Sequence, residues 1–463
     1  MSSHKEPASF EQAAQDYLAP GVAHRRLEML FDDGVFTRLD PFCSVGDQPC
    51  GVVCGHGFVN ESPVCAFAQE GGGLGKMQAA KIAKLYDLAL KTGIPVVGIY
   101  DSLGARVTEG VDALEAYGQL LLRINNLSGV VPQISLVLGD CTGISAMLAC
   151  SADFVVMDQN ANFFMTPPAL SEDKVENVGS AENAAKAGVA HIVAETDAAA
   201  CESARKLLAL LPANNLASCP QLPFTAPENE LTSESCEDAD PAVLAASIAD
   251  SGSLVPLMEN FAPGAYTAFA ALGGIPVGIL AAKDKLDADC CSKMAKMLSV
   301  CDAYQIQVIT LVDCAGFAPS AKAELCGAVR QMAKLGHVYA EATTPKIALI
   351  TGRAYGAAYV ALAGHAANCD YTIAWPGAII SALEPQTAVA FIHADEISEE
   401  NSREDIMRDY LADVASPLAV AKAGYLDDVI EPQRTRDVLL YAMQMLRAKR
   451  VQKHPKKHSN LPM

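Results

Sequence analysis

The chain has 463 residues, about three times the usual domain length, so two or three domains are expected. Half of it is apolar (51%) and only 19% is charged, which excludes a disordered chain and supplies large buried cores. With 34 basic against 54 acidic residues, the net charge of −20 argues against nucleic-acid binding, although a local pocket can still hold a small anion.

The first residues are polar and lack an apolar signal core, and no run of roughly 20 apolar residues follows, so a cytoplasmic protein without membrane spans is expected. Fifteen cysteines are scattered through apolar segments, as expected of reduced, buried thiols. Cys43, Cys50 and Cys54 come nearest to a ligand pattern, but no CxxC pair or partner histidine follows, and no metal is expected.

In chain order, residues 71–77 (GGGLGKM) hint at a phosphate loop. Glu70 replaces its first glycine and Met77 its Ser/Thr, so the pattern fails. The period of apolar residues predicts a helix over 77–91, then a strand buried on both faces over 94–101. A glycine loop follows at 101–106 (DSLGAR), then a helix, a second buried strand over 133–138, and a second glycine loop at 140–146 (DCTGISA). Residues 1–211 are read as the first domain. Residues 212–241, rich in Pro, Asn, Ser and acids, are read as a linker, and 242–463 as the second domain.

The second domain repeats the first. At an offset of 212, KIAK (81–84) falls on KMAK (293–296), and IPVVGIYD (94–101) falls on IQVITLVD (306–313). At 213, Pro132, Gly139 and Gly143 fall on Pro345, Gly352 and Gly356, and further on Asp153 pairs with Asp370. Such constant spacing over some 75 residues points to two copies of one domain. The second copy carries a helix over 289–304, a strand over 346–351, and glycine loops at 313–317 (DCAGF) and 352–358 (GRAYGAA). Alternating strands and helices imply an α/β fold with mainly parallel sheets.

Small residues where a strand turns into a helix let backbone N–H groups face a ligand, and two such donors make an oxyanion hole. They equally permit close helix–strand packing; four loops at equivalent places weigh toward the ligand. There is no GxSxG elbow or HExxH motif. His191 and His365 read as packing or capping residues, and Glu109 and Glu324 as acid–base candidates or solvated helix starts. The basic end, 447–457, reads as a solvated tail.

The segments DSLGARVTEG (101–110) and VPQISLVLGDCTG (131–143) resemble DSGGARIQEG and IPQISLIMGPCAGG of the carboxyltransferase subunit (beta-type) of biotin-dependent acyl-CoA carboxylases and decarboxylases. AEATTPKIALI (340–350), RAYGAAY (353–359) and AGYLDDVIEP (423–432) are similar to AEATVPKVTVI, KAYGGAY and GYIDDVIEP of the same family, and the likeness runs to the end of the chain. The resemblance implies a tandem of two crotonase-like domains assembled as a trimer or hexamer. Each site would form between the N-domain of one subunit and the C-domain of another. It implies carboxyl transfer between biotin, borne by a biotin carboxyl carrier protein, and the α-carbon of a coenzyme A thioester of acetyl or propionyl type. Carboxybiotin releases CO2, the biotin anion takes the α-proton, and the enolate attacks CO2, with an oxyanion hole for each enolate-like oxygen. The sequence has no biotin-attachment motif and no ATP-grasp segment, so further implied partners are a biotin carboxylase or the membrane subunit of a sodium-pumping decarboxylase.

Residue by residue, Gly143 and Ile144 match the family's N-domain donors, and Ala357 and Ala358 its C-domain donors. Gly104, Ala105, Gly316, Phe317, Tyr355, Gly356 and Val360 fall at its substrate-binding positions, Val360 beside the acyl α-carbon. The chain departs from the family at Leu103 and Ile144, where glycine is usual, and is shorter over 162–191. Alternatives are a biotin-independent hydratase or decarboxylase using Glu109 or Glu324, and a non-catalytic assembly subunit with the thioester site closed by Leu103 and Ile144.

Overall fold

A computed structural model describes residues 9–46, 48–172, 177–227, 231, 240–318, 320–397 and 402–462. It divides into two units, Met1–Ser218 and Cys219–Met463. The division falls inside the segment expected to be a linker. The first part of that segment is tied down: Asn214 donates to Gly93 O, and Leu222 N–H donates to Gly274 O. The acidic runs at 228–230 and 237–239 lie outside the described residues.

The first unit opens with helices α1 (Phe10–Leu18) and α2 (Val22–Leu30). Its sheet is built from β1 (Phe36–Leu39), β2 (Val52–Val59), β3 (Ser62–Gln69), β4 (Val96–Ser102), β5 (Gln133–Thr142), β6 (Phe154–Asp158), β7 (Asn162–Phe164) and β8 (Ile192–Ala194). The strand order is β1-β2-β3-β4-β5-β6-β8, with β7 paired to the end of β5. From β3 onward all neighbours are parallel, joined by α3 (Lys76–Thr92), α4 (Val111–Leu127), α5 (Ile144–Cys150) and α6 (Ala181–Lys186), and α7 (Asp197–Leu210) closes the unit.

The second unit enters through α8 (Pro241–Ile248) and repeats the arrangement. Its strands are β9 (Val255–Pro256), β10 (Ala265–Leu272), β11 (Ile275–Leu286), β12 (Gln307–Phe317), β13 (Lys346–Tyr355), β14 (Tyr371–Ala374), β15 (Ile379–Ser381) and β16 (Asp428–Val429). Their order is β9-β10-β11-β12-β13-β14-β16, with β15 paired to the end of β13. The helices are α9 (Ala288–Ala303), α10 (Ala321–Leu325), α11 (Ala328–Glu341), α12 (Gly356–Leu362), α13 (Pro385–Ile392), α14 (Arg403–Tyr410), α15 (Pro417–Lys422) and α16 (Thr435–Leu446). The two sheets match strand for strand, as the internal repeat requires.

The central strands are continuous apolar runs because helices cover both faces. Phe67, Ile82, Tyr86, Tyr117, Leu120 and Ile124 pack the first core, and Ile279, Leu349, Ile373, Trp375, Leu439 and Met443 the second. Local chemistry sets the helix ends. Helix α3 stops at Gly93, whose φ of 65° lets its N–H reach Ala89 O, and α9 starts where the Asp287 carboxylate accepts from Cys290 N–H.

One expectation needs correction. The segments 140–142 and 352–355 are strand rather than loop. Where β6 and β14 stop pairing, the short strands β7 and β15 take over the edge, and β5 and β13 run on until one glycine turns each into a helix. Likewise 313–317 is the end of β12.

Candidate active site

In each unit the neighbouring strands slip register at the same place. Tyr100 faces Val137 but Ser102 faces Cys141; in the second unit Val312 faces Ile350 but Cys314 faces Ala354. Inside each slip an aspartate lies over a glycine. A Cβ on Gly139 would meet the Asp101 carboxylate at 2.4–2.6 Å, and one on Gly352 would meet Asp313 at 2.5 Å. Only glycine leaves room for these carboxylates, which accounts for two landmarks of the repeat.

The counter-ions come from different elements. Arg26 of α2 donates to Asp101 and Asp197 (2.8 Å each) and to Leu138 O, whereas Arg353 of β13 grips Asp313 with Nε and Nη2. Burial pushes the Asp313 carboxyl up, but the Arg353 guanidinium and N–H outweigh it and hold the group below the usual range. A second shared pair fixes the strand starts: Asp153 and Asp370 each accept from and donate to the first residue of β5 and β13.

Each second strand then turns into its helix through a glycine with positive φ, Gly143 (59°) and Gly356 (53°). Gly143 N–H donates to Phe164 O at 3.0 Å, so this donor is used inside the turn. The residues after each glycine enter α5 and α12, where the first N–H groups have no carbonyl four residues back. Repeat equivalence sets Ile144 against Ala357 and Ser145 against Ala358. Of the donors expected in the first unit, Gly143 has its N–H engaged by Phe164 O, and Ile144 is the first residue of α5.

Ile144 is not among the positive-φ residues, so its side chain costs no backbone strain, and that side chain packs on the core. Leu103 is 60% exposed, and its N–H donates to Gly72 O.

The loop after β4 and the end of β12 lie beside these turns. Gly104 (φ 89°) is buried against Thr142 O, and its N–H and C=O bond Ser102 Oγ and Leu74 N–H; Ala105 beside it is half-buried. Gly316 (φ 106°) has open space where a Cβ would sit, next to half-buried Phe317. Tyr355 is buried, and Val360 on α12 is 58% exposed.

Residues 71–75, which failed as a phosphate loop, run along the loop after β4: Gly71 N–H to Asp101 O, Leu74 N–H to Gly104 O, Arg106 N–H to Leu74 O. Sequence reading missed this role; the glycines were the signal, since a Cβ on Gly73 would lie 3.0 Å from Arg106 Cα. Glu109 accepts from Lys76 N–H (2.7 Å) and pairs with Arg106 (3.0 Å), so it caps α3 rather than standing ready as a base. Glu324 is solvent-exposed on α10. His191 Nδ1 accepts from Val155 N–H, and His365 bridges Cys369 O and Asp427, both structural roles. Cys43 and Cys50 line a separate pocket of about 230 Å³ beside Lys81. Among the described residues, no group of three or more His, Cys, Asp or Glu is placed to hold a metal, and no helix is long and apolar enough to cross a membrane.

Duplicated strand-to-helix turns of this geometry coincide with a family match: residues 21–461 fit the carboxyl transferase domain. The chain belongs to this family. It is 36% identical to the methylmalonyl-CoA decarboxylase subunit alpha of Propionigenium modestum, over 96% of this chain and 93% of that protein. It is 35% identical to the propionyl-CoA carboxylase beta chain of Saccharopolyspora erythraea, over 98% and 93%. Among solved structures, transcarboxylase 12S, a hexamer crystallised with hydrolysed methylmalonyl-CoA, superposes with a TM-score of 0.90 at 30% identity, covering 99% of this chain and 100% of that one. The chain is thus a carboxyltransferase of the biotin-dependent acyl-CoA type, with two tandem α/β units.

Proposed function

We propose that the first unit holds the acyl-CoA thioester and the second holds biotin, brought on a separate carrier protein. The observation that carries this is the pair of matched turns: one glycine with positive φ in each, followed by the first turn of a helix that no side chain caps. In the first unit Ile144 and Ser145 donate to the enolate oxygen of the thioester, with Gly104 and Ala105 shaping the wall. In the second unit Ala357 and Ala358 donate to the urea oxygen of biotin, beside Gly316, Phe317, Tyr355 and Gly356. The open space over Gly316 fits a ring approaching the backbone closely. When bound, biotin carries the CO2 and supplies the base, so the chain itself needs to orient, exclude water and stabilise charge. Each backbone donor aimed at a developing oxyanion is worth about 2.7–4 kcal/mol in the transition state.

The acyl group is of acetyl or propionyl type. The aliphatic, exposed Val360 lies where the family contacts the α-carbon, and the relatives named for methylmalonyl- and propionyl-CoA support a short chain. Carrier, biotin carboxylase or membrane decarboxylase subunit, and a trimeric or hexameric cytoplasmic assembly complete the proposal. The test is decarboxylation of malonyl-, methylmalonyl- and glutaconyl-CoA by the purified chain, with and without free biotin. Biotin-dependent loss of one substrate supports the reading and names the acyl group; turnover without biotin refutes it.

A further inference from the structure

The first unit carries a buried chain of hydroxyls behind its turn. Tyr117 OH lies 2.6 Å from Ser145 Oγ, and Ser145 donates to Ser102 Oγ at 3.1 Å. Ser102 donates to Gly72 O (3.3 Å) and accepts from Gly104 N–H (3.2 Å). With Ser145 and Ser102 both donating onward, Tyr117 is the donor to Ser145. All three side chains are at most 2% exposed, and together they join α4, the turn after β5, the loop after β4 and the glycine segment.

The second unit builds the same turn without them. Cys314 stands where Ser102 does and Ala358 where Ser145 does. Cys314 Sγ bonds backbone groups, Gly316 O two residues along its own strand among them, and no hydroxyl of the turn. Yet the register slip, the positive-φ glycines and the helix entry all recur. The second unit has buried hydroxyl pairs elsewhere, Thr310 with Tyr339 and Ser381 with Tyr410, but neither links the end of β12 to the turn after β13. The fold of the turn therefore does not need hydroxyls at the positions of Ser102 and Ser145, and a link of this kind in the first unit calls for another role.

We infer that Tyr117, Ser145 and Ser102 are positioning residues that lock the loop after β4 to the turn after β5, fixing the acyl-side donors relative to the thioester. Donors held by neighbours rather than by solvent need no reorganisation as charge develops, which is where a transition state gains over the ground state. A cavity of about 10 Å³ lined by Gln69, Tyr86, Tyr117 and Ser145 lies against the chain, space for about one water.

The inference rests on the acyl-CoA assignment of the first unit. The test uses the full chain, free biotin, and malonyl-, methylmalonyl- and glutaconyl-CoA, with Ser145→Ala and Tyr117→Phe. Ser145→Ala copies the second unit's own residue and is expected to fold. Each variant is expected to lower kcat about tenfold, with KM for acyl-CoA and biotin unchanged, and the double variant to fall no further than the worse single one. Amide exchange should quicken at 102–105 and 144–145 and stay unchanged at 314–317 and 357–358. Unchanged kcat, or exchange that quickens equally in both units, overturns the positioning role while leaving the site assignment standing. No biotin-dependent turnover by the unsubstituted protein overturns the assignment and this inference with it.

Discussion

The two units solve one geometric problem with different side chains. Both lay an aspartate over a glycine inside a register slip and both turn a strand into a helix at a positive-φ glycine. The first unit recruits its arginine from α2 and braces the turn with hydroxyls, while the second takes Arg353 from the strand itself and uses Cys314 and Ala358. What is shared is backbone, and the proposed donors are backbone N–H groups. What differs are the residues that hold them.

The largest expected effect removes those donors. Proline is tolerated in the first turn of a helix but has no N–H, so Ile144→Pro and Ala357→Pro should each cut kcat by roughly 10²–10³ with the fold retained. Steady-state kinetics of biotin-dependent decarboxylation would show it. If only one variant loses rate, the two-hole symmetry is broken.

Next come Gly139→Ala and Gly352→Ala. Each drives an aspartate off its arginine and should cost about 3 kcal/mol in urea unfolding. The first is expected to be worse, because Arg26 also holds Asp197 and Leu138 O.

Alkaline pH should separate the units. Burial pushes the Cys65 and Cys201 thiols of the first unit, and Cys290 and Cys291 of the second, up to about 12 from an ordinary 9.0. The folded chain then binds more protons than the unfolded one, so stability present below pH 9 is lost between about 9 and 12, by up to about 1.4 kcal/mol per pH unit for each thiol. Burial pulls Lys293 and Lys346 down to about 8 from 10.5, which gives the opposite slope between 8 and 10.5. Both lysines are in the second unit. Hydrogen exchange across this range should show the first unit loosening at lower pH; the reverse order would contradict it.

A smaller contrast is steric. Gly356→Ala sets a Cβ 3.0 Å from Ala382 O, but Gly143→Ala meets only Met165 O at 3.9 Å. Both pay for positive φ by about 1–2 kcal/mol, and Gly356→Ala should lower the melting temperature further by calorimetry. Smallest is Glu109→Gln, which weakens the α3 cap by about 1 kcal/mol or less and leaves turnover within about twofold; exposed Glu324→Gln should change neither. A large loss of turnover in either variant would restore an acid–base role.

Much of the fold was legible because both copies follow one pattern: offsets of 212 and 213 pair Asp101 with Asp313, Gly139 with Gly352 and Gly143 with Gly356, and each pair does the same work. The candidate site was legible to the extent that it is backbone following a glycine. The strand ends at 140–142 and 352–355 were not, because Gly, Asp and Thr read locally as loop and become strand only when β7 and β15 arrive to pair with them. The engagement of Gly143 N–H by Phe164 O depends on the same arrival.

By itself the sequence determined the duplication, the α/β class and the family, since periodicity and spaced motifs are local properties that survive without coordinates. The tertiary structure decided that Gly143 N–H is engaged by Phe164 O, that Ile144 needs no strained backbone, that Glu109 caps a helix, and that Ser102, Tyr117 and Ser145 meet. Those are matters of partners up to 43 residues apart in the chain, and hydrogen bonds between such partners exist only once the layers have packed.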